Sequence, residues 1–134
     1  MEDSTLQYQE DKTFSEMFLT AKGRLNRLRY FKRMLVLGIV EIISTTLISS
    51  AFFDASTYDL STTGYILTAV VFIVIAPMQY LLFIRRLHDL DKTGWLSLLM
   101  LVPVLNALLG LYLLFASGTV GHNQYGADPL EGKR

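Results

Sequence analysis

Residues 64–83 read GYILTAVVFIVIAPMQYLLF, 20 positions without a charge. A helix of that length is about 30 Å long, the thickness of a bilayer's hydrocarbon core. The measure recurs on both sides. Residues 34–53 carry one charge, Glu41, and residues 96–115 carry none. The whole chain has 134 residues, 51% of them hydrophobic, with a mean hydropathy of +0.37. So short a chain cannot bury that much apolar surface inside itself. A soluble bundle of all-round apolar helices is therefore set aside. The expected fold is all-α, a small polytopic membrane bundle. It has two spans over about 34–53 and 64–83 and a third hydrophobic segment over about 95–115.

The charges are segregated around these windows. Formal net charge is zero, from 12 basic and 12 acidic residues. Residues 1–12 carry four acids and one Lys and read as a loose, solvated tail. Residues 13–130 then form one membrane domain, and 131–134 a short tail. Six of the twelve basic residues fall within 22–33: Lys22, Arg24, Arg27, Arg29, Lys32 and Arg33. Residues 54–63 hold no Lys or Arg, whereas 84–94 hold Arg85, Arg86 and Lys92. The positive-inside rule puts 1–33 and 84–94 in the cytoplasm and 54–63 outside. Tyr30, Phe31, Tyr58, Tyr65 and Trp95 are expected at the interfaces. A cleaved signal peptide does not fit, because the first window lies behind an acidic tail.

The third segment has two readings. Pro103 sits near its middle, followed by Asn106, Ala107 and Gly110. Proline is common in transmembrane helices, so a kinked span over 94–115 comes first, with the tail outside. Broken around 103–106, each arm is too short to cross. The segment is then re-entrant, and the tail returns to the cytoplasm.

Local patterns add detail. Thr13 and Glu16 fit a capping box, and Phe14, Met17, Phe18 and Ala21 follow helical spacing up to Gly23. A short amphipathic helix is expected, lying on the membrane or packed on its own protein. Glu41 is the single acid in a span. It should face inward, and Gly38, Glu41, Thr45 and Ser49 form one stripe. Gln79 lies at a similar depth on the antiparallel second span. The site of Glu41, Thr45 and Gln79 is read either as helix–helix glue or as a proton, ion or headgroup site. In the loop after the second window, Asp89 or Asp91 is expected to cap the next helix. Three glycines and Asn123 within 118–126 point to a tightly turned loop.

Enzymatic classes find no support. Zero Cys removes thiol chemistry and thiolate metal sites. His88 beside Asp89 is a fragment, and no triad order, phosphate loop or HExxH helix is present. No catalytic residue, cofactor or metal is expected. The basic run abuts a span, so anionic lipid headgroups, not nucleic acid, are its expected contacts. The candidate polar face is Arg24, Asn26, Arg27, Arg85, Arg86, His88 and Asp89. The expected function is an adaptor or accessory protein whose face meets headgroups, a membrane-protein partner or a second copy. The alternative is an oligomeric ion or small-solute transport unit using Glu41.

Three motifs in order resemble a known family. Phe18-x4-Gly23-Arg24-x-Asn26-Arg27-x2-Tyr30-Phe31 looks like its entry motif. Arg85-Arg86-Leu87-His88-Asp89-x2-Lys92-Thr93-Gly94-Trp95 looks like its central motif. Gly118-Thr119-x-Gly121-x-Asn123-x-Tyr125-Gly126-x-Asp128-Pro129 looks like its closing motif. Over about 14–130 the chain resembles the bacterial inner-membrane family catalogued as domain of unknown function 805. Asp91 stands where that family usually has Gly, and Phe31 where it often has Trp. The resemblance implies a small polytopic inner-membrane protein with no established activity, cofactor or substrate. It also implies one cytoplasmic surface made by all three motifs, provided the third segment is re-entrant.

Overall fold

A computed structural model describes residues 7–133 of the chain. Helix α1 spans Phe14–Phe18 and α2 spans Arg27–Phe52. A ribbon of two residues per strand follows, β1 (Phe53–Asp54) against β2 (Asp59–Leu60). Helix α3 spans Thr62–Asp89. A 3-10 helix, Gly94–Leu101, leads into α4, Pro103–Phe115.

Each boundary has a local cause. The Thr13–Glu16 capping box forms as read, with both reciprocal hydrogen bonds in place. Helix α1 nevertheless stops at Phe18, before Gly23, whose φ of +79° serves the turn into α2 instead. Asn26 caps α2 by accepting from the Arg29 N–H, and Ser61 caps α3 by accepting from the Gly64 N–H. Gly64 is also where α3 touches the end of α2: a Cβ there would stand 2.9 Å from Phe52 Cβ.

Helices α2 and α3 are antiparallel and pack along their length. At 26 and 28 residues they are about 39 and 42 Å long, enough to cross a bilayer with ends protruding. Their outer faces are apolar and open: Ile42, Leu47 and Ile73 are exposed at 66%, 63% and 72%. Water does not tolerate such continuous apolar surface, so lipid is its natural solvent. The buried core gathers near one end, from Leu25, Tyr30, Leu37, Leu82, Phe83, Leu87 and Leu113. Tyr30 thus belongs to the core, whereas Phe31, Tyr58, Tyr65 and Trp95 are exposed as interfacial aromatics should be.

The third segment is broken, which corrects the kinked-span reading. Pro103 occupies the first turn of α4, where its missing N–H costs nothing, and Val102 is extended. The 3-10 arm of eight residues rises about 16 Å and the 13-residue α4 about 20 Å, each short of a bilayer. The two arms start and finish together. Gly94 lies against Ile84 and His88, and the Leu113 and Ala116 carbonyls return to Arg86. The segment is a hairpin that leaves and re-enters one end of the α2–α3 pair.

Asp91 adopts φ +54°, the left-handed turn that glycine usually supplies. The tight turn therefore survives the replacement. Capping of the next element falls to Thr93, whose hydroxyl accepts from the Trp95 N–H. Neither Asp89 nor Asp91 does this, which corrects that expectation.

Candidate functional site

The end of the molecule where α1, the start of α2, the end of α3 and the closing segment meet is polar inside. Arg24, Arg86 and Asp89 are 1%, 0% and 2% exposed. A buried charge is tolerated only when paired and hydrogen-bonded, and here each is. Arg24 Nε donates to Asp89 Oδ1 at 3.1 Å, and Arg86 Nη1 donates to Asp89 Oδ2. One carboxylate thus bridges two guanidinium groups.

The remaining guanidinium N–H groups hold the closing segment. Arg24 donates to the carbonyls of Thr119 (2.5 Å), Gly121 (2.5 Å) and Gly126 (3.3 Å). Arg86 donates to those of Leu113 (2.8 Å) and Ala116 (2.5 Å). Arginine's planar fork suits this role, because it reaches several carbonyls in fixed geometry. The Thr119 N–H and hydroxyl both donate to the Asp89 carbonyl, and Asn123 Nδ2 donates to the His88 carbonyl at 2.9 Å. The segment is the tight turn expected from its glycines. Asn123 and Gly126 exchange backbone hydrogen bonds, and Gly121 and Gly126 take φ +77° and +127°. Asp128 accepts from the N–H groups of Gly121 and Leu130. Gly118 packs so tightly on the Asp89 carboxylate that a Cβ would collide with it.

A second layer closes over the first. Leu25 N–H donates to the Arg85 carbonyl at 3.1 Å, tying entry and central motifs through the backbone. Arg85 is 2% exposed; it donates to the Glu16 carbonyl and to both oxygens of Asp11. Arg33 reaches the same Asp11 at 2.6 Å. Arg29 pairs with Glu10, which also meets Lys133. The solvated-tail expectation for residues 1–6 lies outside the described residues. Within 7–12, Glu10 and Asp11 are ion-paired to the basic run. Hydrogen bonding to Lys133 and the Arg29 charge hold the Glu10 carboxyl below its ordinary range, and burial pushes the Tyr8 phenol up.

The seven residues of the expected polar face therefore divide. Arg24, Arg85, Arg86 and Asp89 point inward and bond within the protein, which corrects the reading of them as an open surface; of their buried side-chain atoms only Arg85 Nε has no partner among the described residues. Asn26 is buried as a helix cap. His88 is half-buried and stacks on Tyr125 with ring centroids 3.9 Å apart and planes 6° from parallel. Arg27 alone of the seven is exposed, and it makes no hydrogen bond or ion pair among the described residues. Sequence reasoning missed Asp11, Thr119 and Asn123 as members of the cluster. The complement of an acidic arm to a basic run twelve residues later was the signal for Asp11.

The intramembrane pair forms as the depth arithmetic requires: Gln79 Nε2 donates to Glu41 Oε2 at 2.9 Å. Thr45 does not join it; its hydroxyl bonds back to the Glu41 carbonyl. Ser49 is exposed, so the inward stripe ends before it. Among the described residues no three His, Asp or Glu side chains converge where a metal could sit.

Two long apolar helices, a hairpin third segment and a polar latch at one end define a small helical integral membrane protein. The chain matches the family described as "Protein of unknown function (DUF805)" over residues 18–127, and it belongs to that family. It is 36% identical over 64 residues to the "Inner membrane protein YhaH" of Escherichia coli strain K12, covering 48% of this chain and 53% of that one. It is 47% identical over 51 residues to the "Inner membrane protein YhaI" of the same strain, covering 38% and 43% respectively. The match thus spans about half the length of these curated relatives. No solved structure matches the chain.

Proposed function

We propose that this protein is a multi-pass adaptor or accessory protein of the bacterial inner membrane. In this reading α2 and α3 cross the bilayer and the third segment re-enters it. The N-terminus and the closing segment both face the cytoplasm. The observation that carries the reading is the Arg24–Asp89–Arg86 latch. It commits the charged groups of three distant motifs to building one polar cap, leaving Arg27, Lys22 and Lys32 exposed around it. A cap with a basic rim suits contact with anionic headgroups or a membrane-protein partner. The names of the E. coli relatives support the inner membrane. The segment 84–94, at the end of α3 and just beyond it, carries three basic residues and 54–63 none, which supports the orientation. The reading assigns no reaction, cofactor or nucleic acid.

Site-specific photo-crosslinking in cells tests it. Crosslinkers at Lys22 and Val120, both exposed at the cap, should yield anionic-lipid or protein adducts, and one at Thr57, exposed in the loop at the opposite end, should not. Equal adducts at both ends, or none at the cap, would contradict the reading. The transport alternative rests on Glu41. Gln79 satisfies that carboxylate within one chain, which favours glue between helices. Ion flux in liposomes that disappears in Glu41→Gln would restore the alternative.

A further inference from the structure

Arg27 stands where two cavities meet. One, of about 350 Å³, is mixed: Asn26, Ser117, Asp89 and Asp128 line it together with the apolar Val120 and Leu130. The other, of about 290 Å³, is an apolar groove between α2 and α4, lined by Leu28, Phe31, Leu114 and Phe115. Arg27 lines both. The charge there is easily summed. Arg24 and Arg86 offset Asp89 and Asp128, and both carboxylates already accept hydrogen bonds from the protein. What remains is the single positive charge of Arg27, exposed and without a partner among the described residues. Depth agrees: Arg27 lies about 10 Å along α2 before residue 34, where the charge-poor stretch begins.

We propose that this junction is a binding site for one phospholipid with an anionic headgroup. The Arg27 guanidinium takes the phosphate in its fork, the remaining headgroup enters the mixed cavity beside Asn26 and Ser117, and the upper part of one acyl chain lies along Phe31 and Phe115. The proposal rests on the reading above that this end of the molecule sits at a membrane surface. It goes further in naming one residue and one groove in place of a diffuse basic rim.

Native mass spectrometry of the full chain in a non-ionic detergent decides it. The probes are dioleoylphosphatidylglycerol, dioleoylphosphatidylcholine and inorganic phosphate. The expected result is a one-lipid adduct with the glycerol lipid, weaker with the choline lipid and unaffected by inorganic phosphate. Arg27→Gln should lower its occupancy about tenfold or more, the scale of a lost charge-assisted hydrogen bond. Lys32→Gln, equally cationic but away from both cavities, should change it by less than about twofold, because no membrane field acts in detergent. Phe115→Ala, in the groove alone, should weaken both lipids alike. If Arg27→Gln misfolds, Arg27→Lys is the deciding variant, with a loss of about threefold from the missing fork. Equal losses in the Arg27 and Lys32 variants, equal binding of both lipids, or a second copy of the chain in place of lipid would overturn the site. Those outcomes leave the adaptor reading standing, since cap crosslinks are scored separately. Their absence with an Arg27-dependent lipid adduct would do the reverse.

Discussion

Replacing Asp89 by Asn removes the charge that two buried arginines share and changes almost nothing else. The side chains have nearly equal volume, and one amide oxygen remains to accept. Arg24 keeps its three carbonyl acceptors and Arg86 its two, so neither guanidinium loses all its hydrogen bonds. Both, however, are left as cations at 1% and 0% exposure with no counter-charge within hydrogen-bond reach. Removing one partner of a buried ion pair costs about 3–5 kcal/mol. The amide that now faces Arg86 Nη1 also turns an attraction into a conflict of donors. A loss of about 3 kcal/mol is the expected minimum, a large part of a typical stability of about 5–15 kcal/mol. The damage should be local first. The closing segment is held mainly by these two guanidinium groups, so it should detach before α2 and α3 separate. Hydrogen exchange in mixed micelles reads this directly. Amides of Thr119 and Gly121, both bonded within the latch, should lose protection while those of α3 near Ile75 keep theirs. An unfolding free energy within about 1 kcal/mol of wild type, with Thr119 still protected, would refute the latch as a stability element.

Other outcomes follow from the same geometry. Gly118→Ala should release the closing segment much as Asp89→Asn does, because its Cβ meets the Asp89 carboxylate; unchanged exchange at Thr119 would contradict this. Asp91→Gly should be neutral or stabilising by up to about 1 kcal/mol, and Asp91→Val destabilising by about 1–2 kcal/mol, as thermal unfolding would show, since only the left-handed backbone distinguishes them. Glu41→Gln should change the unfolding free energy by less than about 1 kcal/mol in a denaturant titration, because a glutamine still accepts from Gln79. The capping box gives a pH signature. The N–H groups of Lys12 and Thr13 hold the Glu16 carboxyl below its ordinary range. A lowered folded pKa means stabilisation present above the unfolded value and lost as pH falls through the folded one. Protection of the Lys12 and Thr13 amides should therefore fall on acidification, and Glu16→Gln should flatten that dependence.

The two spans were legible because lipid solvation writes itself into window length and charge exclusion. Glu41 and Gln79 were legible for a related reason: antiparallel helices of known rise fix relative depth. The latch was not. An arginine beside a span reads as a headgroup anchor, and nothing local to Arg24 or Arg86 announces that its acceptors are backbone carbonyls at 113–126. Main-chain acceptors carry no residue identity, so only the glycines that let the chain approach left a trace. The hairpin was ambiguous for a similar reason. Pro103 fits a kinked span and a helix start equally well, and the choice is made by where Leu113 and Ala116 are held. Asp91 shows the converse: the glycine usual at this position is missing, yet a short polar side chain accepts the same left-handed backbone.

The latch requires the third segment to fold back, so that the closing segment and the central motif share one side of the membrane. Single cysteines placed at Thr57 and Gln124 in this cysteine-free chain, labelled in intact cells with a reagent that cannot cross the membrane, test that directly. The prediction is labelling at position 57 and none at 124 until the cells are opened. Labelling of both positions from outside would show a continuous third span and contradict the latch in the membrane.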